Sequence, residues 1–316
     1  MRRFRLITFL LLVPGLAALA TVSGCGKDKT EQTGGGQSGE KAKDRGTSAH
    51  AGVPTAEVPS KGWGTLQGKV TYDGDPPATP DPDIQKDRPR CACKEAADRG
   101  DTKQQRWKLG PDKGVANVVV WVRAPKGKYF KIPDDQKKRT DTVTLEQPFC
   151  AFEPHVLVLY PSYYDPVTKS QTSTGQKFEI INNATIPHNT NVVPNGPVGV
   201  SGDQNLLLPP GKKEPKNVTL DKPKSAGAEP SVTFTCNIHT WMTGSGRVFD
   251  HPFYAVTKGD KQKEKSRSGE YEIKEVPAGV DLDLVYWHEA LGNPISLGTI
   301  KLEDGKTLTK DFKIKK

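Results

Sequence analysis

Short apolar runs separated by turn-forming residues are the feature that most constrains the fold of this chain. The 316 residues include 31 Gly and 26 Pro, which end helices and strands and form turns. In one run, Leu66, Val70 and Tyr72 recur at the period of a strand with one buried face. After the first 24 residues, no segment of convincing length has the helical period. Many short strands with frequent turns predict an all-β protein built from β-sandwiches.

The predicted strands are spread over the chain after residue 62. Residues 115–122 form an almost continuous β-branched run, which is typical of a strand buried on both faces. The other predicted strands lie at residues 66–72, 155–160, 177–181, 231–236, 271–273 and 282–287. About 250 residues follow residue 62, which is enough for two domains of ordinary size.

The N-terminus has the features of a secretory signal peptide. Three arginines among the first five residues precede a mostly apolar run at residues 6–20. A helix of that length covers about 22 Å, which is too short to span a bilayer comfortably. The basic start, the short apolar run and the small residues after it predict that the chain is exported. A transmembrane anchor is the alternative, which the Pro14-Gly15 pair inside the run disfavours.

Residues 22–25, with the sequence Val-Ser-Gly-Cys, resemble the bacterial lipobox. The resemblance implies that residues 1–24 are a lipoprotein signal peptide and that Cys25 carries a thioether-linked diacylglycerol. An ordinary signal peptide followed by a chance cysteine is the alternative. Several acyl chains on one residue would anchor the protein stably, since a single chain binds a membrane only marginally. We therefore expect an exported, periplasmic or cell-envelope protein that is lipid-anchored to a membrane.

Residues 25–62 are rich in small and charged residues and contain few large apolar ones. Such a segment buries too little surface to offset the entropy lost on ordering. The sequence therefore predicts a flexible tether between the lipid and the folded part of the chain.

The charge of the chain restricts its partners. The formal net charge is +9, but basic and acidic residues are interleaved, and no basic cluster contains aromatic residues. We therefore expect no nucleic-acid partner. A mildly basic surface suits an acidic redox protein or anionic lipid headgroups.

The segment that begins at Cys236 contains three metal-binding side chains within seven residues, the other two being His239 and Met242. Val232 and Phe234 alternate with threonines before Cys236, so its sulfur is predicted to share their inward face. His239 and Met242 are then expected on the loop that follows the strand. A thiolate with imidazoles and a weak axial thioether is the ligand set of a type 1 copper site.

The second imidazole of such a site is available at His188, just after the predicted strand at residues 177–181. His-Asn followed by Cys-x-x-His-x-x-Met resembles the cupredoxin family of small blue copper proteins over residues 143–250. The short loop spacing is closest to that of amicyanin, whereas plastocyanin has a longer gap before its Met. The resemblance implies a cupredoxin-like domain at residues 141–250 that binds one copper ion. His188, Cys236 and His239 would form a trigonal plane and Met242 a long axial bond.

Residues beside the ligands also follow from this resemblance. Asn189 matches the Asn that ties the first ligand loop to the Cys loop by hydrogen bonds. Asn237 stands where the family usually has Ser or Thr, so this neighbouring hydrogen bond is expected to differ, with an effect on the potential. Thr240 replaces a common Pro, which predicts a less rigid ligand loop.

Two alternatives to a copper site remain open. Cys236 can be a buried free thiol, with His188 and His239 as ordinary polar loop residues and Met242 as a core side chain. Zinc also binds one Cys and two His, although copper binds such ligands more tightly.

The remaining cysteines are candidates for a disulfide. With Cys25 assigned to lipid and Cys236 to metal, Cys91, Cys93 and Cys150 are left. Export favours disulfides. Cysteines separated by one residue rarely pair with each other, so either Cys91 or Cys93 is predicted to bridge to Cys150.

Two further histidines receive no ligand role. His155 opens a predicted strand and is expected to cap or pack. Trp287-His288-Glu289 ends another predicted strand and is interpreted as a surface feature.

Residues 251–316 carry a second set of strand and turn motifs. Phe253-Tyr254-Ala255-Val256-Thr257, Gly269-Glu270-Tyr271-Glu272-Ile273 and Val276-Pro277-Ala278-Gly279 resemble the carboxypeptidase regulatory-like domain. That domain is a prealbumin-like sandwich grouped with carbohydrate-binding-like folds. Within residues 63–140, the runs at 65–74 and 117–122 look like its opening strands. The segment at 63–140 is thus either a separate N-terminal β region or the first half of a split domain with the cupredoxin inserted.

The whole layout resembles cupredoxin-containing lipoproteins labelled methylamine utilization proteins. The leading hypothesis is a lipid-anchored type 1 copper protein that transfers single electrons outside the cytoplasm to or from a redox partner protein. The alternative is a binding or structural protein of the cell envelope that stores or senses copper, or carries a carbohydrate-binding-like module, without a redox role. We expect no enzyme, because no open metal position, nucleophile–base pair or paired carboxylates stand out.

Overall fold

The computed structural model describes residues 53–196, 200–201, 204–211, 214–220, 225–259 and 261–316. The signal peptide at 1–24, Cys25 and most of the predicted tether lie outside the described residues. Strands account for 41% of the structure and helices are few and short, so the all-β prediction is confirmed. None of the helices in the described ranges has the length and apolar character needed to cross a membrane.

Each run predicted as a strand contains one. The strands of the first part are β1 Ala56–Glu57, β2 Trp63–Tyr72, β3 Val119–Arg123, β4 Lys128–Tyr129, β5 Thr142–Glu146, β6 Val156–Leu159, β7 Ser162–Asp165, β8 Ser170–Ser173, β9 Lys177–Ile181, β10 His188–Asn195 and β11 Val200–Ser201. They are followed by β12 Asn205–Leu208, β13 Lys216–Asn217, β14 Thr219–Leu220, β15 Ser231–Thr235, β16 Thr243–Val248, β17 Tyr254–Val256, β18 Glu270–Pro277, β19 Asp281–Trp287, β20 Ile295–Lys301, β21 Thr307–Thr309 and β22 Phe312–Ile314. The helices are α1 Arg88–Cys91, α2 Lys94–Arg99 and α3 Asp134–Lys137, with 3-10 turns at Pro111–Lys113, Gln262–Arg267 and Glu289–Leu291.

Strands from both ends of the described chain build one sandwich, which we call the terminal sandwich. One sheet has the order β17-β3-β19-β20, and the other has β18-β2-β21 with β22 also paired to β2. Each sheet therefore joins a strand that precedes residue 124 to strands that follow residue 253. Its core contains Leu66, Val120, Ile273 and Leu284. This pairing is the arrangement that a split domain requires.

The intervening residues form a second sandwich, which we call the inserted sandwich. Its larger sheet has the order β12-β10-β15-β16-β6, and its smaller sheet has β13-β9-β5. In β15, Val232 and Phe234 are buried and the residues between them are half-buried, as their alternation predicts. Phe178 and Phe234 pack in the core between the sheets with ring centroids 5.8 Å apart.

The two sandwiches share an apolar interface. Val120 and Val122 of β3 face the core of the terminal sandwich, whereas Val119 and Trp121 pack against the inserted sandwich, including Val158 of β6. The strand is thus buried on both faces, which explains its continuous apolar sequence.

The predicted tether does not extend to residue 62. β1 pairs in parallel with β4, and Val58 is buried in the core of the terminal sandwich. The composition of residues 25–62 concealed this contact, because two isolated valines, Val53 and Val58, in a polar segment carry no periodic signal.

Residues 73–113, which we call the covering segment, lie between β2 and β3 in the chain and pack on both sandwiches. This segment contains α1 and α2 rather than strands. Trp107 is buried in the terminal core, and Ile84 and Cys91 are buried in the inserted core. The predicted domain boundary at residue 140 therefore separates this segment from some of the residues on which it packs.

Candidate metal centre

The four predicted ligands lie in the same part of the inserted sandwich. His188 begins β10, Cys236 follows β15 directly, and His239 and Met242 lie in the turn before β16. β10 and β15 are antiparallel neighbours, which brings the start of β10 to the end of β15. All four side chains are at most 2% exposed.

Three donor atoms from these residues form a small triangle. Cys236 Sγ lies 3.9 Å from His188 Nδ1 and 3.8 Å from His239 Nδ1. The two Nδ1 atoms are 3.0 Å apart. A point inside the triangle is about 2.1 Å from each atom, which is close to metal–imidazole bonds of about 2.0 to 2.1 Å and metal–thiolate bonds of about 2.3 Å. The three atoms therefore fit a single metal ion.

The turn that carries the ligands is held by its own backbone. The N–H of Met242 donates to the carbonyl of His239 at 2.9 Å, and the N–H of Cys236 donates to the carbonyl of Met242 at 3.2 Å. Trp241 packs edge-on against the His239 ring with centroids 5.2 Å apart. Met242 itself is buried in the same apolar cluster as Cys236.

Asn189 connects the two ligand-bearing segments. Its Oδ1 accepts hydrogen bonds from the backbone N–H groups of Asn237 at 2.7 Å and Ile238 at 3.2 Å. Cys236 Sγ lies 3.4 Å from the same oxygen. Asn237 contributes its backbone to this contact, while its side chain is exposed. Asn189 thus fixes the start of the Cys loop against β10.

The surroundings of Cys236 favour its thiolate. Burial raises the pKa of the thiol, but hydrogen bonds with His188 and His239 outweigh burial and lower the pKa to about 5. A thiol with that pKa is ionised at neutral pH, and the thiolate is the form that binds metals. Burial lowers the pKa of His239, and its contacts with Cys236 and Asp87 outweigh that effect and raise it.

The second ring nitrogen of His239 contacts a residue that the sequence analysis missed. His239 Nε2 lies 2.9 Å from Asp87 Oδ2, across 152 residues of sequence. Asp87 belongs to the covering segment and precedes α1 directly. No local pattern connects the two residues, so only the folded chain reveals the pair.

The disulfide joins Cys91 to Cys150, and Cys93 is a half-buried free thiol. Of the two pairings left open by the sequence, the structure has the one with Cys91. The two sulfur atoms and a ring nitrogen of His239 lie within 4.8 Å of one another. The bridge therefore fastens the covering segment directly beside a predicted metal ligand.

The interpretation of Trp287-His288-Glu289 as a surface feature was wrong. Trp287 and His288 are buried, and Glu289 Oε1 lies 2.6 Å from Nε2 of buried His155. His288 stacks on Trp107 with ring centroids 4.2 Å apart, and burial lowers its pKa to about 4. These residues lie at and just after the end of β19, in the contact between the sandwiches. The sequence of one strand does not show that contact.

Comparison of the chain with protein-family models, with curated proteins and with solved structures finds no match.

The donor set determines what the site can do. A thiolate and two imidazoles with a thioether next to them in the chain are soft and borderline ligands that suit copper. The site is buried and its donors come from a strand start and a single tight turn, so its ligands are held before any metal binds.

Proposed function

We propose that this chain is a lipid-anchored type 1 copper protein that transfers single electrons outside the cytoplasm. The observation that carries the proposal is the buried triangle of Cys236 Sγ and the Nδ1 atoms of His188 and His239, with sides of 3.0 to 3.9 Å. Two imidazoles and one thiolate in a plane are the defining ligands of such sites.

Each residue has a separate part in this function. His188, Cys236 and His239 would hold the copper ion, and Met242 would add a weak thioether ligand. The bound ion supplies the one-electron chemistry. Asn189 keeps the ligand loop against β10, and burial excludes water from the site. A rigid, closed site of this kind limits rearrangement when the charge of the ion changes.

The finer fold assignment is part of the same proposal. The inserted sandwich would be cupredoxin-like, and the terminal sandwich would be a prealbumin-like, carboxypeptidase regulatory-like domain split around it. The strand order β18-β2-β21 and β17-β3-β19-β20 supports the split, since both sheets need both segments.

The disulfide supports the proposed location. Structural disulfides form and persist in oxidising compartments outside the cytoplasm, and Cys91 is bonded to Cys150. Export through the signal peptide at 1–24, with lipid on Cys25, would place the copper site at the cell envelope.

Copper storage or sensing without electron transfer is a second candidate. The burial of His239 favours this candidate, because the His239 ring is fully buried and its Nε2 contacts Asp87 of the covering segment. Electron transfer slows steeply with distance, and the covering segment separates this ligand from a partner at the surface.

Copper loading of the purified mature protein tests the function. A thiolate bound to Cu(II) gives a strong visible charge-transfer band, so the protein should turn blue or green with one copper per chain. Reduction should bleach the colour and reoxidation should restore it. Cys236→Ala should abolish the band, whereas Cys93→Ala, which removes a free thiol elsewhere, should keep it.

The outcomes separate the two candidates. A coloured site that cycles between its oxidised and reduced forms supports the carrier. Stoichiometric copper that does not cycle favours storage or sensing. A colourless protein without stoichiometric copper contradicts both.

A further inference from the structure

The two histidine ligands differ at their second ring nitrogen. His239 Nε2 lies 2.9 Å from Asp87 Oδ2, whereas His188 Nε2 is buried without a hydrogen-bond partner among the described residues. The Nδ1 atoms of both rings belong to the metal triangle. A negative charge therefore acts through one of the two imidazoles and not through the other.

The position of Asp87 is fixed by the backbone around it. Asp87 has φ 49° and ψ 36°, the left-handed region that non-glycine residues adopt uncommonly and that Asp tolerates better than most. Its carbonyl accepts hydrogen bonds from the N–H groups of Arg90 and Cys91, both at 2.8 Å. This turn aims the carboxylate at His239 while the side chain stays 36% exposed.

The turn is also fastened to the sandwich that carries the ligands. Cys91, four residues after Asp87, forms the disulfide with Cys150. Ile84, three residues before Asp87, is buried in the inserted core. Asp87 is thus held from both sides, although no strand of the inserted sandwich contains it.

We propose that Asp87 is a positioning residue for the copper ligand His239, an inference that rests on the proposed copper function. The carboxylate accepts the Nε2–H of the imidazole, keeps Nδ1 free for the metal and lowers the reduction potential of the site.

The physical basis is the coupling between the two ring nitrogens. The hydrogen bond made by one nitrogen sets which nitrogen carries the proton and which binds the metal. A carboxylate partner also makes the imidazole more basic, and removal of such outer partners typically costs 10- to 100-fold in metal affinity. The added negative charge favours Cu(II) over Cu(I), so its removal should raise the potential.

A role in fastening the covering segment is the competing explanation. In that case Asp87 would affect the stability of the segment and leave the electronic properties of the site unchanged. The experiment therefore needs readouts that a fastening role does not move.

The test compares Asp87→Asn with wild type and with Asp98→Asn. Asp98 is an exposed carboxylate of the same segment, paired with Lys94 at the surface, so this control loses the same charge away from the site. Asp87→Asn should bind Cu(II) about 10- to 100-fold more weakly. The reduction potential of the variant depends on how much more its affinity for Cu(II) falls than its affinity for Cu(I). For each tenfold difference between these two losses, the potential should rise by about 59 mV. Asp98→Asn should match wild type in both.

A second readout needs no copper. In the metal-free protein, nitrogen NMR should find a slowly exchanging proton on His239 Nε2, because that nitrogen is buried and hydrogen-bonded. Asp87→Ala should lose this protection, and Asp98→Asn should keep it.

The outcomes distinguish this inference from the function on which it rests. A wild-type protein that takes up no copper contradicts the proposed function itself. A blue wild type with an Asp87→Asn variant of equal affinity and potential contradicts only the role of Asp87. If Asp87→Asn loosens the segment, Asp87→Glu decides: a potential near that of wild type supports the role, and a shift equal to that of Asn overturns it.

Discussion

Two buried histidine clusters lie among the described residues, and they differ in where their donor atoms point. In the metal centre, the Nδ1 atoms of His188 and His239 meet the sulfur of Cys236 within 3.9 Å. In the second cluster, His155 pairs with Glu289 and His288 stacks on Trp107. We call this second group the interface cluster.

The comparison shows that buried histidines alone do not make a metal site. Two groups of His and Cys donor atoms lie close together among the described residues, and both contain His239. The group with Cys91 and Cys150 is a disulfide, so the group with His188 and Cys236 is the one whose donors are available to a metal. The residues of the interface cluster belong to neither. Their ring atoms are used in a hydrogen bond to Glu289 and in stacking on Trp107, which stabilise the contact between the sandwiches.

The largest expected effect is on the free energy of unfolding and comes from a substitution in the interface cluster. His155→Ala removes a hydrogen-bond partner of the partly buried Glu289 carboxylate and leaves a cavity at a buried site, which together should cost about 3 to 5 kcal/mol. Urea unfolding of the metal-free protein should measure this loss, while the variant should still bind one copper. Glu272→Gln, which breaks a surface pair with Lys274, should change stability by less than about 1 kcal/mol. Loss of copper colour in a folded His155→Ala variant would show that the interface cluster takes part in copper binding, which contradicts the distinction between the two clusters.

A somewhat smaller effect is expected from the titration of His288. Burial lowers its pKa from 6.5 to about 4, so between these values the unfolded chain binds a proton that the folded chain does not. The free energy of unfolding should therefore fall as the pH drops from 6.5 to 4, by up to about 3 kcal/mol for the full shift.

The control for this titration is His288→Leu. His251, with a pKa lowered to about 3 by burial, and Asp250, with one raised to about 6 by burial, titrate in both proteins. Only the difference between the two pH profiles reports on His288. Parallel profiles would show that His288 is accessible to protons in the folded state.

The smallest effect is expected from a substitution of Met242 in the metal centre, which should change the reduction potential of the site and not its ability to bind copper. Met242→Leu keeps the volume of a buried side chain but removes the thioether, whose main effect in such sites is to tune the potential. Copper should remain bound and the potential should rise, as voltammetry would measure. A variant that binds no copper would indicate a different coordination geometry.

Part of this structure could be predicted from local sequence. The alternation of Val232 and Phe234 before Cys236 places the sulfur at the inner end of β15. The turn that follows explains how His239 and Met242 reach the same place. Such signals depend on the period of a strand and on residues close in the chain, which is why the strands and the ligand loop could be predicted.

The rest depends on contacts that no local pattern encodes. Asp87 reaches His239 across 152 residues. Cys91 rather than Cys93 is the cysteine that is buried against Cys150. The burial of His288 follows from the packing of the two sandwiches. Its neighbours in sequence resemble the end of any exposed strand.

X-ray absorption of the Cu(II)-loaded mature protein tests the central claim most directly. The account predicts one short sulfur bond, no longer than about 2.3 Å, with imidazole nitrogens at about 2.0 to 2.1 Å. Cys236→Ala should remove the sulfur bond, while the spectrum of His155→Ala should be the same as that of the wild-type protein. A spectrum of nitrogen and oxygen ligands alone in the wild-type protein, unchanged by Cys236→Ala, would contradict the assignment of this site as a type 1 copper centre.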